Sequence, residues 1–491
     1  MSGGERELPE GWVIAPLGEL GESSLGKMLD KAKWTTGTPL PYLRNLNVRW
    51  GHFALDELYE MPFEDHELDR YAVREGDLLV CEGGEPGRCA IWQGSEQTMM
   101  FQKALHRVRP SAALDARYIR YELEHAAQTQ ALDELFTGTT IKHLTGTSLA
   151  KFQVCLPPLN EQRRIVAKIE ALTERSRRAK EALDAIPPLL DKLRQSILAA
   201  AFRGDLTKDW RAANPDVEPA SELLKRIREE RRRRWEEAEL AKMKAKGKTP
   251  TDDTWKARYK EPEPVDTTGL PELPEGWAWA SVEEVTVNFD GVRVPVKRED
   301  RAARQGRFPY YGASGVIDCI DGYLFDGDYL LVAEDGANLL SRSTPIAFQA
   351  RGRFWVNNHA HVVDGCGVPN DYLESFLNGL DLSRYVSGTA QPKLTQKNFE
   401  RIPVPVPPAK EISRIVNTVG NALASVASLR TIVKANNVQR GAMDSAILAK
   451  AFRGELVSQD PNDEPAAALL ERIRAGQATA APKKKARGKD R

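Results

Sequence analysis

A chain of 491 residues is longer than one ordinary core organises, since domains run roughly 100 to 200 residues, and two or more domains are expected. Hydrophobic residues at 41% and charged residues at 29% describe a globular chain; no apolar run reaches the roughly 18 to 20 residues of a membrane span, and the opening MSGGERELPEGW lacks the parts of a secretory signal, so a cytoplasmic protein without membrane contact is expected. The zero net charge hides an alternation of −7, +8, −8 and +7 over residues 1–158, 159–260, 261–408 and 409–491 (16 basic against 23 acidic, 26 against 18, 13 against 21, 15 against 8), which argues against a uniformly basic nucleic-acid binder.

In chain order, residues 9–158 mix short β-rich runs with turns: GDLLV from Gly76, the loop EGGEPGR from Glu82, then CAIW ending at Trp92, which reads as strand, glycine-rich loop, strand. A helix is expected from Ala116 to Phe136. After Pro157 and Pro158 the spacing of Ile165, Ile169, Leu172 and Leu183 predicts a helix over 160–186, broken or kinked at Pro187 and Pro188 and resumed through Phe202 to a stop at Gly204. Ser221 to Lys248 reads as a strongly charged helix, either solvated or a docking surface for partners, followed by a Pro- and Thr-containing linker. In the second half GDYLLVAEDGANLL from Gly327 repeats the strand and glycine turn, a helix is expected over Asp371 to Tyr385, and Glu411 to Phe452, free of proline, reads as a nearly uninterrupted helix with Gly420 and Gly441 as its weak points. The tail PKKKARGKDR from Pro482 reads as disordered. Cys81, Cys89, Cys155, Cys319 and Cys366 form no metal-binding spacing and read as free thiols.

The chain is written twice. LPEGW at Leu8 returns at Leu273, an offset of 265; GTTIKHLT from Gly138 returns as GTAQPKLT from Gly388, and PPLNEQRRIV from Pro157 as PPAKEISRIV from Pro407, both at 250; SILAAAFRGDL from Ser196 returns as SAILAKAFRGEL from Ser445, and EPASELLKRIR from Glu218 as EPAAALLERIR from Glu464. A constant frame around divergent interiors implies two modules doing one job on different targets. The expected fold is α+β: two similar α/β domains separated by a pair of long helices that form an antiparallel coiled coil, with a pseudo-twofold internal repeat. Its expected parts are a first domain (1–158), a helical region (159–210), a charged helix and linker (211–272), a second domain (273–408), a second helical region (409–458) and a charged terminal segment (459–491).

These motifs resemble the specificity subunits of type I restriction-modification systems. The second half carries the resemblance through FPYYGASGVIDCIDGYLFDGDYLLVAEDGANL from Phe308, NNHAHVV from Asn357 and SGTAQPKLTQKNFERIPVPVPP from Ser387; the first half carries it through PYLRNLNV from Pro41, EGDLLVCEGGEPGR from Glu75 and TGTTIKHLTGTSLAKFQVCLPPLNEQRRIV from Thr137. The resemblance implies a non-catalytic subunit whose two target-recognition domains each read one half of a bipartite DNA site, with the helices setting the gap. It implies assembly with two modification subunits, which hold the S-adenosylmethionine that methylates adenine, and with two restriction subunits. No cofactor and no metal are expected in this chain. Pro392 in the place of Lys142, and a proline break only in the first helix, argue against a one-to-one transfer of contacts between halves.

If the two domains read DNA, contacts fall on loop Arg, Lys, Asn and backbone amides, which position phosphates and pair base edges. The candidates are Asn45, Asn47, Gly83, Gly84, Arg88, Lys103, Thr139 and Lys142 in the first domain, and Tyr311, Ser314, Asn338, Arg342, Asn357, Asn358, His359 and Lys393 in the second. Trp12 and Trp277 read as core anchors. Two other readings are a self-contained adenine methyltransferase, which lacks its aromatic NPPF- or DPPY-type loop here, and a coiled-coil scaffold, which leaves the β-rich domains without purpose. A nuclease reading of PDVEPASELLK fails on its second copy, DPNDEPAAALLE, which lacks the lysine.

Overall fold

The computed structural model describes residues 8–29, 37–94, 96–111, 114–138, 141–248, 250–388 and 391–480, with side chains as far as Gly476; the terminal PKKKARGKDR segment lies outside them. The chain forms two compact units, one made of residues 1–184 with 434–491 and the other of residues 185–433. Both boundaries fall in the helical regions.

In the first unit, Val13–Pro16 pairs antiparallel with Gln153–Leu156 and ties the two ends of the first α/β domain together. A four-stranded sheet follows the order Gly21–Leu25, Leu105–Pro110, Leu78–Cys81, Cys89–Ile91, and a smaller sheet the order Tyr59–Phe63, Thr38–Leu43, Met100–Phe101. The second unit repeats this plan: Ala278–Ser281 with Pro403–Val406; the order Thr286–Asn288, Ala360–Gly365, Tyr329–Ala333, Ala347–Ala350; and the order Gly315–Ile320, Phe308–Gly312, Arg353–Val356, with Phe325–Asp326 added at one edge. In both small sheets a middle strand, Thr38–Leu43 or Phe308–Gly312, pairs antiparallel with one neighbour and parallel with the other. Strand order is therefore duplicated where sequence identity is low.

The central strands explain the continuous apolar runs. Successive side chains point to opposite faces, so Leu78 and Val80 enter the main core of the first unit while Leu79 and Cys81 enter a second core on the other face; Leu330 and Val332 divide from Leu331 in the same way. The Cys81 thiol, buried there, is pushed up to about 11 by desolvation. All five cysteines are free and only Cys319 is exposed.

The helix at Ala116–Gln128 begins at Asp115, whose side chain accepts from the Arg117 amide, and ends earlier than the sequence predicts because Thr129 turns back onto the His125 carbonyl and Gln130 takes a positive φ. Its counterpart spans Asn370–Gly379, shorter than the expected Asp371 to Tyr385. The buried hydroxyl of Tyr118 donates to the Cys155 carbonyl at 2.6 Å and that of Tyr372 to the Pro405 carbonyl at 2.6 Å, fixing each helix on its terminal strand pair.

The helical region after Pro158 consists of Leu159–Asp184 and Ile186–Phe202. The break precedes the prolines instead of falling on them: the second helix restarts at Ile186, so Pro187 and Pro188 sit in its first turn, where a missing N–H costs nothing. The proline-free counterpart is continuous over 43 residues, Ala409–Ala451. In the first unit Ser176 meets Arg440 at 3.2 Å and Asp184 meets Asn437, so position rises in one helix as it falls in the other. In the second unit Arg430 pairs with Asp191. Among the described residues, no helix is long and apolar enough to cross a membrane.

The ends of the repeated helices close the domains in crossed fashion. Phe452, from the second copy, packs edge-on to Tyr118 of the first domain at 5.4 Å, whereas Phe202, from the first copy, packs on Tyr372 of the second at 5.3 Å. Gly454 and Gly204 both take a left-handed φ, and a Cβ there would come within 2.4 Å of Pro9 and 2.7 Å of Pro274, so these glycines let the AFRG turn seat on the LPEGW motif. The charged helices follow suit: the Ala466 amide donates to the Gly11 carbonyl and the Ala220 amide to the Gly276 carbonyl. Trp12 and Trp277 are buried, and their indole N–H groups donate to Glu161 and Glu411 at 3.1 and 2.9 Å.

Candidate nucleic-acid interface

Four loops gather at one end of each α/β domain. In the first domain they are the turn after Thr38–Leu43, the glycine loop after Leu78–Cys81, the segment after Met100–Phe101 and the hook formed by Thr137 and His143. Backbone bonds knit them: Gln102 N–H to Leu43 O (3.1 Å), Glu82 N–H to Ala104 O (3.0 Å), Leu144 N–H to Glu82 O (2.8 Å). The second domain uses the matching bonds, Asn357 N–H to Tyr311 O (3.1 Å), Glu334 N–H to His359 O (2.9 Å) and Leu394 N–H to Glu334 O (2.7 Å). Most of the sequence-derived candidates lie on these loops in both copies.

Their side chains divide by task. Asn45 donates to the Gly83 carbonyl at 3.4 Å, and Arg88 reaches the Asn45 carbonyl at 2.8 Å and Glu85 at 2.7 Å. Asn47 is 3% exposed and wholly occupied: it accepts from the Arg44 amide and donates to the carbonyls of Ala54 and Glu57. Gly84 has a φ of 81°, and a Cβ on Gly83 would lie 3.2 Å from the His143 ring, so the glycines keep this loop tight. Lys103 is exposed, and Lys142, also exposed, pairs with Asp133 at 2.9 Å. Thr139 lies outside the described residues.

In the second domain Tyr311 packs edge-on to Phe354 at 5.5 Å, partly buried in the sheet, and Asn357, 5% exposed, closes its own turn by accepting from the His359 amide. Asn338 accepts from the Thr344 amide at 3.0 Å and so knits its own loop. Arg342 is turned onto the last carbonyls of the Asn370–Gly379 helix, Leu377 and Leu380, and burial lowers its pKa from the ordinary value. Ser314 and Asn358 are exposed; His359, half exposed, holds Asp335 at 2.7 Å, and Lys393, half exposed, holds Glu334 at 3.2 Å.

Beneath the loops lies a feature that sequence reasoning passed over, a buried histidine in each copy. His106 faces the Leu144 carbonyl through Nε2 at 2.9 Å, and His361 faces the Leu394 carbonyl at 2.8 Å. A carbonyl only accepts, so Nε2 carries the proton in both. The two then part. Among the described residues no carboxylate bonds to Nδ1 of His106, and burial lowers its pKa. His361 meets Asp290 across Nδ1 at 2.6 Å, and a proton must lie between them. Burial pushes the Asp290 carboxyl up, but the His361 bond and charge, the Val362 amide and nearby Arg293 outweigh it and hold its pKa below the ordinary value. Arg293 joins Asp290 (3.2 Å) to Glu334 (2.7 Å). The shared motif LHRV and AHVV, with histidine second in the strand that borders the loops, was the available signal.

Asp290, Glu334 and His361 are the one group among the described residues whose ligand atoms lie near enough, within 4.8 Å, to hold a metal ion. Arg293 against both carboxylates already supplies the charge that a cation would bring.

The family model described as the type I restriction modification DNA specificity domain matches residues 9–186 and again 274–432, over both loop clusters. The chain belongs to this family. It is a type I restriction-modification specificity subunit with two DNA-recognition domains, and such subunits are the non-catalytic components of their enzymes. The chain is similar along its whole length to the type I restriction enzyme EcoKI specificity subunit of Escherichia coli (strain K12), at 23% identity over 523 residues and 100% of both chains, and to the StySPI specificity subunit of Salmonella potsdam, at 24% identity over 98% of this chain and 99% of that one. A putative specificity subunit of Haemophilus influenzae is 35% identical over 164 residues, 33% of this chain and 41% of that protein. Among solved structures, the HsdS subunit from Thermoanaerobacter tengcongensis superposes with a TM-score of 0.56 at 18% identity over 93% of this chain and all of that one, and a chain of a type I restriction-modification complex with a TM-score of 0.63 at 18% identity over 91% and 99%; both show a shared fold. Neither the methyltransferase reading nor the scaffold reading gains support from these likenesses.

Proposed function

We propose that this specificity subunit reads a bipartite DNA target, each loop cluster contacting one half-site in duplex DNA. The observation that carries this reading is the duplication of the cluster itself: four loops joined by the same backbone bonds, on domains of one strand order, presenting different side chains. Lys103 and Lys142 in one copy, and Ser314, Asn358, His359 and Lys393 in the other, are the exposed groups that reach bases and phosphates, Lys142, His359 and Lys393 by exchanging a surface carboxylate for DNA; Asn47, Arg88, Asn357 and Arg342 act by holding the loops.

The paired helices serve as an antiparallel coiled-coil spacer and give the chain a pseudo-twofold repeat. The second helix alone spans roughly 64 Å at 1.5 Å per residue, enough to bridge more than one DNA turn of about 34 Å. Two modification subunits carrying S-adenosylmethionine dock on the helical regions, where Leu189, Leu193, Leu429 and Ile432 are exposed, and two restriction subunits complete the nuclease. The complex works in the cytoplasm.

Sequencing the methylated adenines in DNA exposed to the subunit with its modification partners tests the reading. Two short half-sites with a constant gap are expected, and an insertion of about seven residues in the helical region, roughly 10 Å of helix, changes the gap alone. A continuous motif, or a gap indifferent to the insertion, refutes it.

A further inference from the structure

The stretch from Arg293 to Arg307 holds six basic residues against two acidic ones, Glu299 and Asp300. It starts at the candidate interface, where Arg293 bonds both Glu334 and the Ala360 carbonyl, and where the Trp355 indole donates to the Val294 carbonyl at 2.6 Å. It then runs along the small sheet of the second domain. Some of its arginines are spent on anchorage: Arg301 pairs with Asp318 at 2.9 Å and lies over the Tyr310 ring, and Arg304 pairs with Asp321 at 2.8 Å and lies over Trp355.

These anchors hold the backbone in place and leave Lys297, Arg298 and Arg307 exposed, with no ion pair among the described residues. Arg307 rests on the Phe308 ring at 5.1 Å, that ring on Tyr323 at 5.2 Å, and Arg353 on Tyr323 at 4.9 Å. A guanidinium held flat on an aromatic ring keeps its edge of N–H donors free for an oxyanion and loses little rotamer freedom in binding one.

The small sheets themselves are acidic in both domains, with Asp318, Asp321, Asp326 and Asp328 in the second and a denser run in the first. Asp56, Glu57, Glu60, Glu64, Asp65, Glu67 and Asp69 crowd residues 56–70, with Arg70 their one Lys or Arg neighbour in that stretch. Duplex phosphates would be repelled there.

We propose that the 297–307 segment is a phosphate-binding arm of the second domain, in which Lys297, Arg298 and Arg307 contact the DNA backbone beside the half-site read by the loops. The inference rests on the DNA-reading function proposed above and adds to it the residues through which the second domain holds the phosphates. The arm positions the duplex and carries no sequence information.

The test uses the full chain assembled with its modification subunits and a duplex holding the methylated site. Equilibrium binding is measured over a range of potassium chloride for the wild type and for the triple variant Lys297→Gln, Arg298→Gln, Arg307→Gln. The logarithmic salt slope is expected to fall by nearly three, roughly 0.9 for each phosphate that is no longer neutralised, with affinity at low salt down by about ten-fold or more and the methylated sequence unchanged. The unchanged methylation pattern also establishes that the variant is folded and assembled. An unaltered slope with wild-type affinity overturns the arm while leaving the reading function intact. Loss of modification-subunit binding at an unaltered slope overturns it as well, in favour of a protein contact. A wild-type complex that recognises no bipartite site overturns both.

Discussion

The two recognition domains share strand order, loop bonds and a buried histidine, yet they support their loops by different physics. In the first, the floor is neutral: His106 gives one hydrogen bond to a carbonyl and is otherwise enclosed. In the second, Asp290, Glu334, Arg293 and Lys393 form a chain of charges that runs from His361 in the core to the surface. The same holds at the domain bases. Glu161 takes the Trp12 N–H and leaves its other oxygen without a partner in the structure, whereas Glu411, fully buried, takes Trp277, Thr207 and the Arg211 guanidinium. Duplication preserved the geometry and let the electrostatics drift at these two places, where the second domain adds ion pairs that the first lacks among the described residues.

The largest effect expected from this difference lies at those bases. Glu411→Ala strands the Arg211 charge and the Thr207 hydroxyl, and should cost about 3–5 kcal/mol in denaturant unfolding of the second unit. Glu161→Ala orphans one indole N–H and should cost about 1–3 kcal/mol in the first unit. Equal losses would mean that the ionic partners add nothing.

Where the two copies are chemically alike, the effects should match. Tyr118→Phe and Tyr372→Phe each remove one buried hydroxyl bond at 2.6 Å and should each cost about 1 kcal/mol, read by thermal unfolding. A clear inequality would break the equivalence of the two helix anchors.

The smallest expected effect is a difference in acid response. His106 has a lowered pKa, so the folded state favours its neutral form; its contribution is complete above the ordinary histidine value of 6.5 and is lost as pH falls from there toward the folded value. Asp290 has a lowered pKa among carboxylates, so its contribution is complete above 3.8 and fails only as pH drops through the still lower folded value. Amide exchange, corrected for its intrinsic pH dependence and followed from about pH 7 to 5, should show protection of Leu105–Pro110 falling while that of Ala360–Gly365 holds. Parallel loss in both strands would contradict this assignment.

Much of this architecture was legible because the sequence repeats its framing motifs while the glycine turns and proline pairs mark their own ends. Asn45, Gly83 and Arg88 were drawn from separate segments and meet in one loop cluster of the first domain. The division of labour among them was hidden: loop amides look the same whether they face a base or, like Asn47, three backbone groups. The crossed closure was also hidden. Phe202 and Phe452 sit in nearly identical AFRG motifs, and nothing local tells which LPEGW motif each will meet. Helix ends moved for local reasons, as at Gln130, and the Pro187 and Pro188 pair proved to start a helix, since a proline in the first turn meets no missing partner.

The central claim is that two domains read two half-sites separately across a fixed spacer. Its most direct test replaces residues 278–386 with the corresponding stretch of a relative and maps the methylated adenines by sequencing, with the native modification subunits present. One half of the motif should change while the other half and the gap stay as they were. A change in both halves, or in the gap, would contradict the claim.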